Sequence, residues 1–161
     1  MRFRYVAASL LALVVLFADQ VSKLWIIDNI PVWGGFEVIP GFFNIVHVLN
    51  KGAAFGFLND NSITWQTTFF VCTALVAIGV IFYLLKDTCT DRWSVGALGC
   101  ILGGALGNLT DRIRYGFVVD FLDVYYKDWH WPAFNIADIA ICAGVGLLLF
   151  FWVIFPKSHQ H

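Results

Sequence analysis

The chain has 161 residues, of which 60% are hydrophobic, 17% aromatic and only 13% charged, with a mean hydropathy of +0.76. Values this apolar exclude an ordinary soluble domain and point to a chain that folds in a bilayer. A net charge of -1 with no basic cluster gives no support to nucleic-acid binding.

A helical crossing of the hydrocarbon core takes about 20 apolar residues, and four stretches qualify: approximately 5–27, 67–85, 94–113 and 136–155. The expected architecture is a mainly α membrane protein, a bundle of four transmembrane helices forming one domain over 1–161. The first stretch opens on Arg2 and Arg4 ahead of "YVAASLLALVVLF", a pattern shared with cleaved secretory leaders. The apolar run continues through "VSKLWII" without a small-x-small cleavage site before Asp19, so a retained helix is expected. Asp19 and Lys23 stand one helical turn apart in it, acid first, the spacing of an ion pair.

The basic residues of the connections fix an orientation. Arg2, Arg4, Lys86, Arg92 and Lys157 fall in short segments at one side, whereas the long connections, about 28–66 and 114–135, hold only Lys51, Arg114 and Lys127. The positive-inside rule then places both termini in the cytoplasm and both long connections outside.

The first long connection carries "GGFEVIPGFFNIVHVLNKGAAFGFLND". Its β-branched and aromatic runs at 36–39 and 43–49, broken by Pro40, Gly41 and Gly52, predict a small sheet on the outer membrane surface. A short apolar segment at 53–58 is expected to lie in the interface after it. Trp33, Trp65, Trp129 and Trp131 sit near helix ends or in the connections, where an amphipathic ring is favoured. Such a surface suits an amphipathic or lipid-bearing ligand, or serves only as a cap on the bundle.

The third helix contains "GALGCILGGALGN", with Gly99, Gly103 and Gly107 on one face, which lets a neighbouring backbone approach closely in lipid. Cys72, Cys89, Cys100 and Cys142 are scattered without ligand spacing and read as neither a disulfide framework nor a zinc site. At the end of this helix Asp111 and Arg112 are adjacent, point in different directions and need other partners; Asn108, one turn before Arg112, is a candidate neighbour.

Beyond Gly116 the chain reads "FVVDFLDV". Asp120 has large apolar residues on both sides and reads either as a desolvated acid, with its pKa raised, or as a turn residue facing water. Asp123 has weaker neighbours and is expected to be a solvated surface acid. The fourth helix opens with "WPAFNIADIAICAGVG". Asn135 is a good N-cap, and Asp138 falls in the first turn, where the dipole and free N–H groups welcome a carboxylate. This start lies at the same membrane face as the end of the third helix, so Asp120 and Asp138 can meet. Two carboxylates in one poorly solvated site share a proton, and such a pair can activate water against a carbonyl. A proton-linked transporter, a scaffold in which both acids are structural, and a metal-dependent hydrolase using Asp111, Asp120 and Asp138 are the competing readings.

"NKGAAFGFL", "GGALGNLTDRIRYGFVVDFL" and "PAFNIADIAI", with "DQVSK" in the first helix, together resemble the ordered motifs of the lipoprotein signal peptidase family, signal peptidase II. The resemblance spans essentially the whole chain. It implies a bacterial inner-membrane aspartyl peptidase that removes the signal peptide of a prolipoprotein just before the diacylglyceryl-modified cysteine. It implies Asp120 and Asp138 as the catalytic pair, with Asp19, Lys23, Asn50, Gly52, Asn108, Asp111, Arg112, Asn135 and Ala137 lining or supporting the site. It further implies an extramembrane β-cradle with a mobile surface helix, no metal or organic cofactor, prolipoproteins and membrane lipid as partners of a monomer, and inhibition by globomycin-type peptides.

Overall fold

The computed structural model describes residues 2–52, 63–87 and 91–154. The segment expected to lie in the interface, 53–58, and Cys89 fall outside the described residues. Among the described residues four helices are long and apolar enough to cross a membrane: α1 (Arg2–Asn29), α2 (Ile63–Asp87), α3 (Arg92–Tyr115) and α4 (Ile136–Ile154). Their outward faces carry large apolar side chains, among them Phe17 at 72% and Val153 at 73% exposure. Surface of that kind is stable only against lipid.

The central helix is α3, whose buried residues run from Ser94 to Asp111. It starts because Asp91 is an N-cap, accepting from the Ser94 N–H at 2.8 Å. It stops because Gly116 adopts φ 79° and returns its N–H to the Arg112 carbonyl, the left-handed turn that glycine adopts without a Cβ penalty. The glycine face predicted from sequence packs on α1: a Cβ on Gly99 would lie 2.9 Å from the Ala8 carbonyl oxygen, and one on Gly103 2.7 Å from that of Ala12. Gly104 serves the other neighbour, α4, where a Cβ would reach within 2.4 Å of the Ala137 carbonyl oxygen. Without a hydrophobic force between helices in lipid, this close backbone contact supplies the packing energy.

The strands β1 (Gly35–Ile39), β2 (Phe43–Asn50), β3 (Val118–Tyr126) and β4 (Trp129–His130) form one antiparallel sheet in sequential order. The first two occupy the runs read as strands from sequence. The sheet does not end there, because the second long connection supplies β3 and β4. Strand β3 is its most buried element and packs Val119 and Phe121 on Ile26 and Ile30 at the end of α1. The buried His47 ring of β2 adds a hydrogen bond to the Ile30 carbonyl at 2.7 Å. The sheet is thus fastened to the end of α1 by both apolar and polar contacts.

The glycine contacts separate two substitutions. Gly104→Val is expected to lower the thermal midpoint in detergent, by an overpacking cost of about 1–3 kcal/mol. Gly96→Ala, where an added Cβ meets nothing within 4 Å, should be neutral or stabilising, since Ala is favoured over Gly in a helix by about 1 kcal/mol.

Candidate active site

Polar side chains from α1, α3, α4, β2 and β3 converge where the sheet meets the helix bundle. The innermost part is an ion triplet. Lys23 Nζ lies 2.8 Å from Asp19 Oδ2 and 2.8 Å from Asp111 Oδ2, and all three side chains are 2% exposed or less. The i,i+4 pair read from sequence therefore exists and gains a second acid from α3. Room for it comes from Gly107, where a Cβ would stand 2.5 Å from Asp19 Oδ2.

Each acid of the triplet has a further backbone donor. Asp19 Oδ1 accepts from the Ala137 N–H at 2.9 Å, and Asp111 Oδ2 from the Val119 N–H at 3.2 Å. Gln20 Nε2 donates to Asp111 Oδ1 at 2.9 Å. Sequence reading assigned Gln20 no role, although a polar amide beside Asp19 in a membrane helix is itself a signal of an internal partner. The triplet so ties α1 to α3, to the first turn of α4 and to the start of β3. Ala137, 0% exposed, sits where a larger side chain would push α4 off α3.

Above the triplet stand Asp120 and Asp138. Asn135 is the N-cap of α4: its Oδ1 accepts from the Asp138 N–H at 3.0 Å while Asp138 Oδ2 accepts from the Asn135 N–H at 3.2 Å. This reciprocal pair is a capping box with Asp at its third position. The Asn135 side-chain amide then donates to Asp120 Oδ1 at 2.7 Å. One residue bridges both acids, with its backbone to one and its side chain to the other. Asp120 Oδ2 accepts from Asn50 Nδ2 at 2.8 Å, and Asp138 Oδ1 from Asn108 Nδ2 at 2.8 Å. Gly52, at φ 87°, donates its N–H to Asn50 Oδ1 at 2.7 Å and so turns the Asn50 amide nitrogen toward Asp120.

Arg112 leaves Asp111 behind: its guanidinium lies 4.8 Å over the Phe70 ring and donates to the Asn108 carbonyl at 3.3 Å. The sequence-based neighbour was Asn108, and the contact is to its backbone. Asp123 departs from expectation. It is buried rather than solvated, because it accepts from Asn44 Nδ2 at 2.9 Å and from His130 Nδ1 at 2.9 Å across the sheet. It belongs to the sheet's own polar contacts rather than to the group around Asp120. Among the described residues no cluster of three or more His, Cys, Asp or Glu side chains is arranged to hold a metal ion.

Burial pushes the Asp120 carboxyl up to about 6. The hydrogen bond from Asn50 opposes this, the charge of Asp138 adds to it, and the hydrogen bond from Asn135 and the charge of Lys23 pull the other way. The arrangement therefore holds one acid near the point of protonation beside a second acid at a helix N-terminus, where negative charge is favoured.

A multi-pass membrane protein that gathers its buried polar side chains around two acids at one end of the bundle has the form of a membrane-embedded enzyme. The family described as "Signal peptidase (SPase) II" matches residues 11–154. The chain is 53% identical to the lipoprotein signal peptidase of Maridesulfovibrio salexigens, over 88% of this chain and 91% of that one. It is 45% identical to that of Oleidesulfovibrio alaskensis, over 89% and 92%. A bacterial membrane enzyme solved by the in meso method at 2.3 Å resolution superposes with a TM-score of 0.81 at 33% identity, covering 96% of this chain and 93% of that one. A second, at 1.9 Å resolution, gives 0.80 at 34% identity, with 94% of each covered. The chain belongs to the signal peptidase II family and is a membrane peptidase.

Two outcomes follow from the bridge and the buried acid. Asn135→Ser retains an N-cap oxygen and should fold with little loss, whereas Asn135→Ala should cost about 0.5–2 kcal/mol more in thermal unfolding; both lose the donor to Asp120. Asp120, at the usual 3.8 when unfolded and about 6 when folded, binds its proton more tightly in the fold. Its contribution to stability is therefore complete below 3.8 and lost as pH rises through about 6. Asp120→Asn removes that dependence, so its midpoint relative to the wild type should move in the variant's favour between pH 4 and 7 and then level off.

Proposed function

We propose that this chain is an aspartyl endopeptidase that cleaves bacterial prolipoproteins immediately before the diacylglyceryl-modified cysteine, with Asp120 and Asp138 as the catalytic pair. The observation that carries the reading is the bridge of Asn135 between the buried Asp120 and the half-buried Asp138. Asp138, with donors on both oxygens and a helix N-terminus behind it, is the ionised member and takes a proton from the attacking water. Asp120 is the protonated member and hydrogen-bonds the carbonyl oxygen under attack. In the tetrahedral intermediate the new C–O bond has formed and the carbonyl oxygen holds the negative charge against the Asp120 proton. The proton on Asp138 then passes to the amide nitrogen as the C–N bond breaks, and the new carboxyl and free amine leave.

Asn50, Gly52, Asn108 and Asn135 orient the two acids in this reading. Asp19, Lys23, Asp111 and Ala137 hold the helix that carries one of them, and Arg112 supplies positive charge beside the developing oxyanion. The chain acts as one monomeric peptidase domain of the bacterial inner membrane, with both termini cytoplasmic and the site near the outer face. It needs no metal or organic cofactor and is open to globomycin-type inhibitors. A signal helix and two acyl chains both lie in the bilayer. A site at the boundary meets the scissile bond without extracting the substrate, and neighbouring lipid shields the acyl chains.

The test is cleavage of a diacylglyceryl-modified prolipoprotein by the purified protein in detergent with a chelator present. Wild type and Asp123→Asn should cleave, while Asp120→Asn and Asp138→Asn should fall by at least about 10³-fold and stay folded. Normal cleavage by either of the last two would refute the pair. Because the protonated acid is the one that titrates near 6, kcat/KM should fall as pH rises through an apparent value at or above about 6. An acid limb there, with activity rising through the same range, would give Asp120 the role of base.

A further inference from the structure

The Asn108 amide has a fixed sense. Its Oδ1 accepts from Lys23 Nζ at 3.0 Å and from Asn135 Nδ2 at 3.2 Å, and its Nδ2 donates to Asp138 Oδ1 at 2.8 Å. Turning the amide over would set its NH2 against an ammonium and an amide donor, and its oxygen against the Asp138 carboxylate. Each of those contacts is repulsive, and leaving donors and acceptors mismatched in a partly buried site is costly.

The two donors that fix the sense are not equivalent. Asn135 is bonded to both acids and shifts when they shift. Lys23 is anchored from below, between Asp19 and Asp111, and is 2% exposed. The two salt bridges use two of the three ammonium N–H donors. The third bond, from the same ammonium to Asn108, satisfies the last donor and is the one that reaches toward the site.

We propose that Lys23 is a positioning residue for peptide hydrolysis: through the Asn108 amide it holds the Asp138 carboxylate as an acceptor, aimed for its part in the reaction. This rests on the paired-acid reading above. The chain of contact runs from Lys23 Nζ to Asn108 Oδ1, through the amide plane, and from Asn108 Nδ2 to Asp138 Oδ1. With Lys23 removed, one donor remains to hold the amide, Asn135 Nδ2, and Asn135 is itself bonded to the acid that the amide aligns. Asp138 then loses one of its two donors for part of the time and rotates out of line. Misalignment of a catalytic group by about 1 Å costs on the order of 10²-fold, and it does so in the chemical step rather than in substrate binding.

Charge-conserving variants separate this from a general effect of the triplet. Asp19, Lys23 and Asp111 together carry a formal charge of -1. Asp19→Asn brings the three to zero but leaves Lys23 bonded to Asp111 and Asn108. Asp19→Asn with Lys23→Met returns them to -1 while removing the donor to Asn108. Purified in detergent and assayed on the diacylglyceryl-modified prolipoprotein, the single variant carries the whole cost of losing the Asp19 charge and sets the reference. The double variant should lose a further factor on the order of 10²-fold in kcat relative to that single, with KM within about 3-fold of the single's. A double variant whose kcat equals or exceeds that of the single would make the triplet a field effect and overturn the proposal. So would a folded double variant whose further loss lies in KM alone. If that double variant does not fold, Lys23→Met with Asp111→Asn conserves the same charge and must show the same kcat loss. Asp120→Asn and Asp138→Asn run alongside. Cleavage by either would remove the paired-acid reading itself, whereas their inactivity beside a double variant of wild-type kcat would remove only the role of Lys23.

Discussion

A single ammonium group between two carboxylates, closed off from water inside a lipid-embedded bundle, is the contact on which the rest of this structure depends. Breaking a buried pair by removing one partner costs about 3–5 kcal/mol, because the remaining charge cannot be hydrated. That penalty makes the geometry around Lys23 narrow. Asp19 is fixed by Lys23 and in turn fixes the Ala137 N–H of α4; Asp111 is fixed by Lys23 and in turn fixes the Val119 N–H of β3. The two segments that carry Asp138 and Asp120 are thereby registered against the same lysine, from opposite sides. Apolar packing in lipid could not set that registry, because a slide along a helix interface exchanges one apolar contact for another.

The close approach of the backbones is what lets these short side chains reach. Gly103, Gly104 and Gly107 bring α1 and α4 against α3 at distances a Cβ would forbid. Asp and Asn have only one carbon between backbone and polar group, so their hydrogen bonds span helices only where the helices nearly touch. The glycine face and the polar cluster are two halves of one device: the first half brings the axes together, and the second exploits the gap at one end. It also explains why the polar residues lie at the end of α3 rather than at its middle, where the same close contact is filled by Ala8, Ala12 and Leu98.

Much of this was legible in the sequence because its signals are local. The four helices follow from runs of apolar residues. The first two strands follow from β-branched runs between turn residues, and Asp138 follows from the cap sequence around Asn135. Asp120 could be picked out only as an acid between large apolar neighbours, with its alternative left open. What could not be read depends on pairing across long separations. "FVVDFLDV" is nearly continuous in apolar character, and nothing within it reveals that β2, some 70 residues earlier, lies alongside with Val48 opposite Asp120. Asp123 was misjudged for the same reason, since Asn44 and His130 reach it from neighbouring strands. Lys23 announces Asp19 through helical spacing, but Asp111 and Asn108 reach it from another helix, and no periodicity in α1 records them.

The sheet explains why a site of this kind is made from both membrane and extramembrane parts. A helix bundle alone could place two acids at one depth, but both would then sit on helices whose mutual positions are set by lipid-facing packing. Strand β3 is held instead by ladder hydrogen bonds to β2 and by Val119 and Phe121 against the end of α1. Its side chains alternate across the strand, so the residues on either side of Asp120 anchor it to α1 while Asp120 itself points to the opposite face. One acid is thus carried by a rigid strand and the other by the first turn of a capped helix, with Asn135 between them. Both positions are thus set by hydrogen-bonded backbone, a ladder on one side and a helix cap on the other, rather than by apolar packing that could slide.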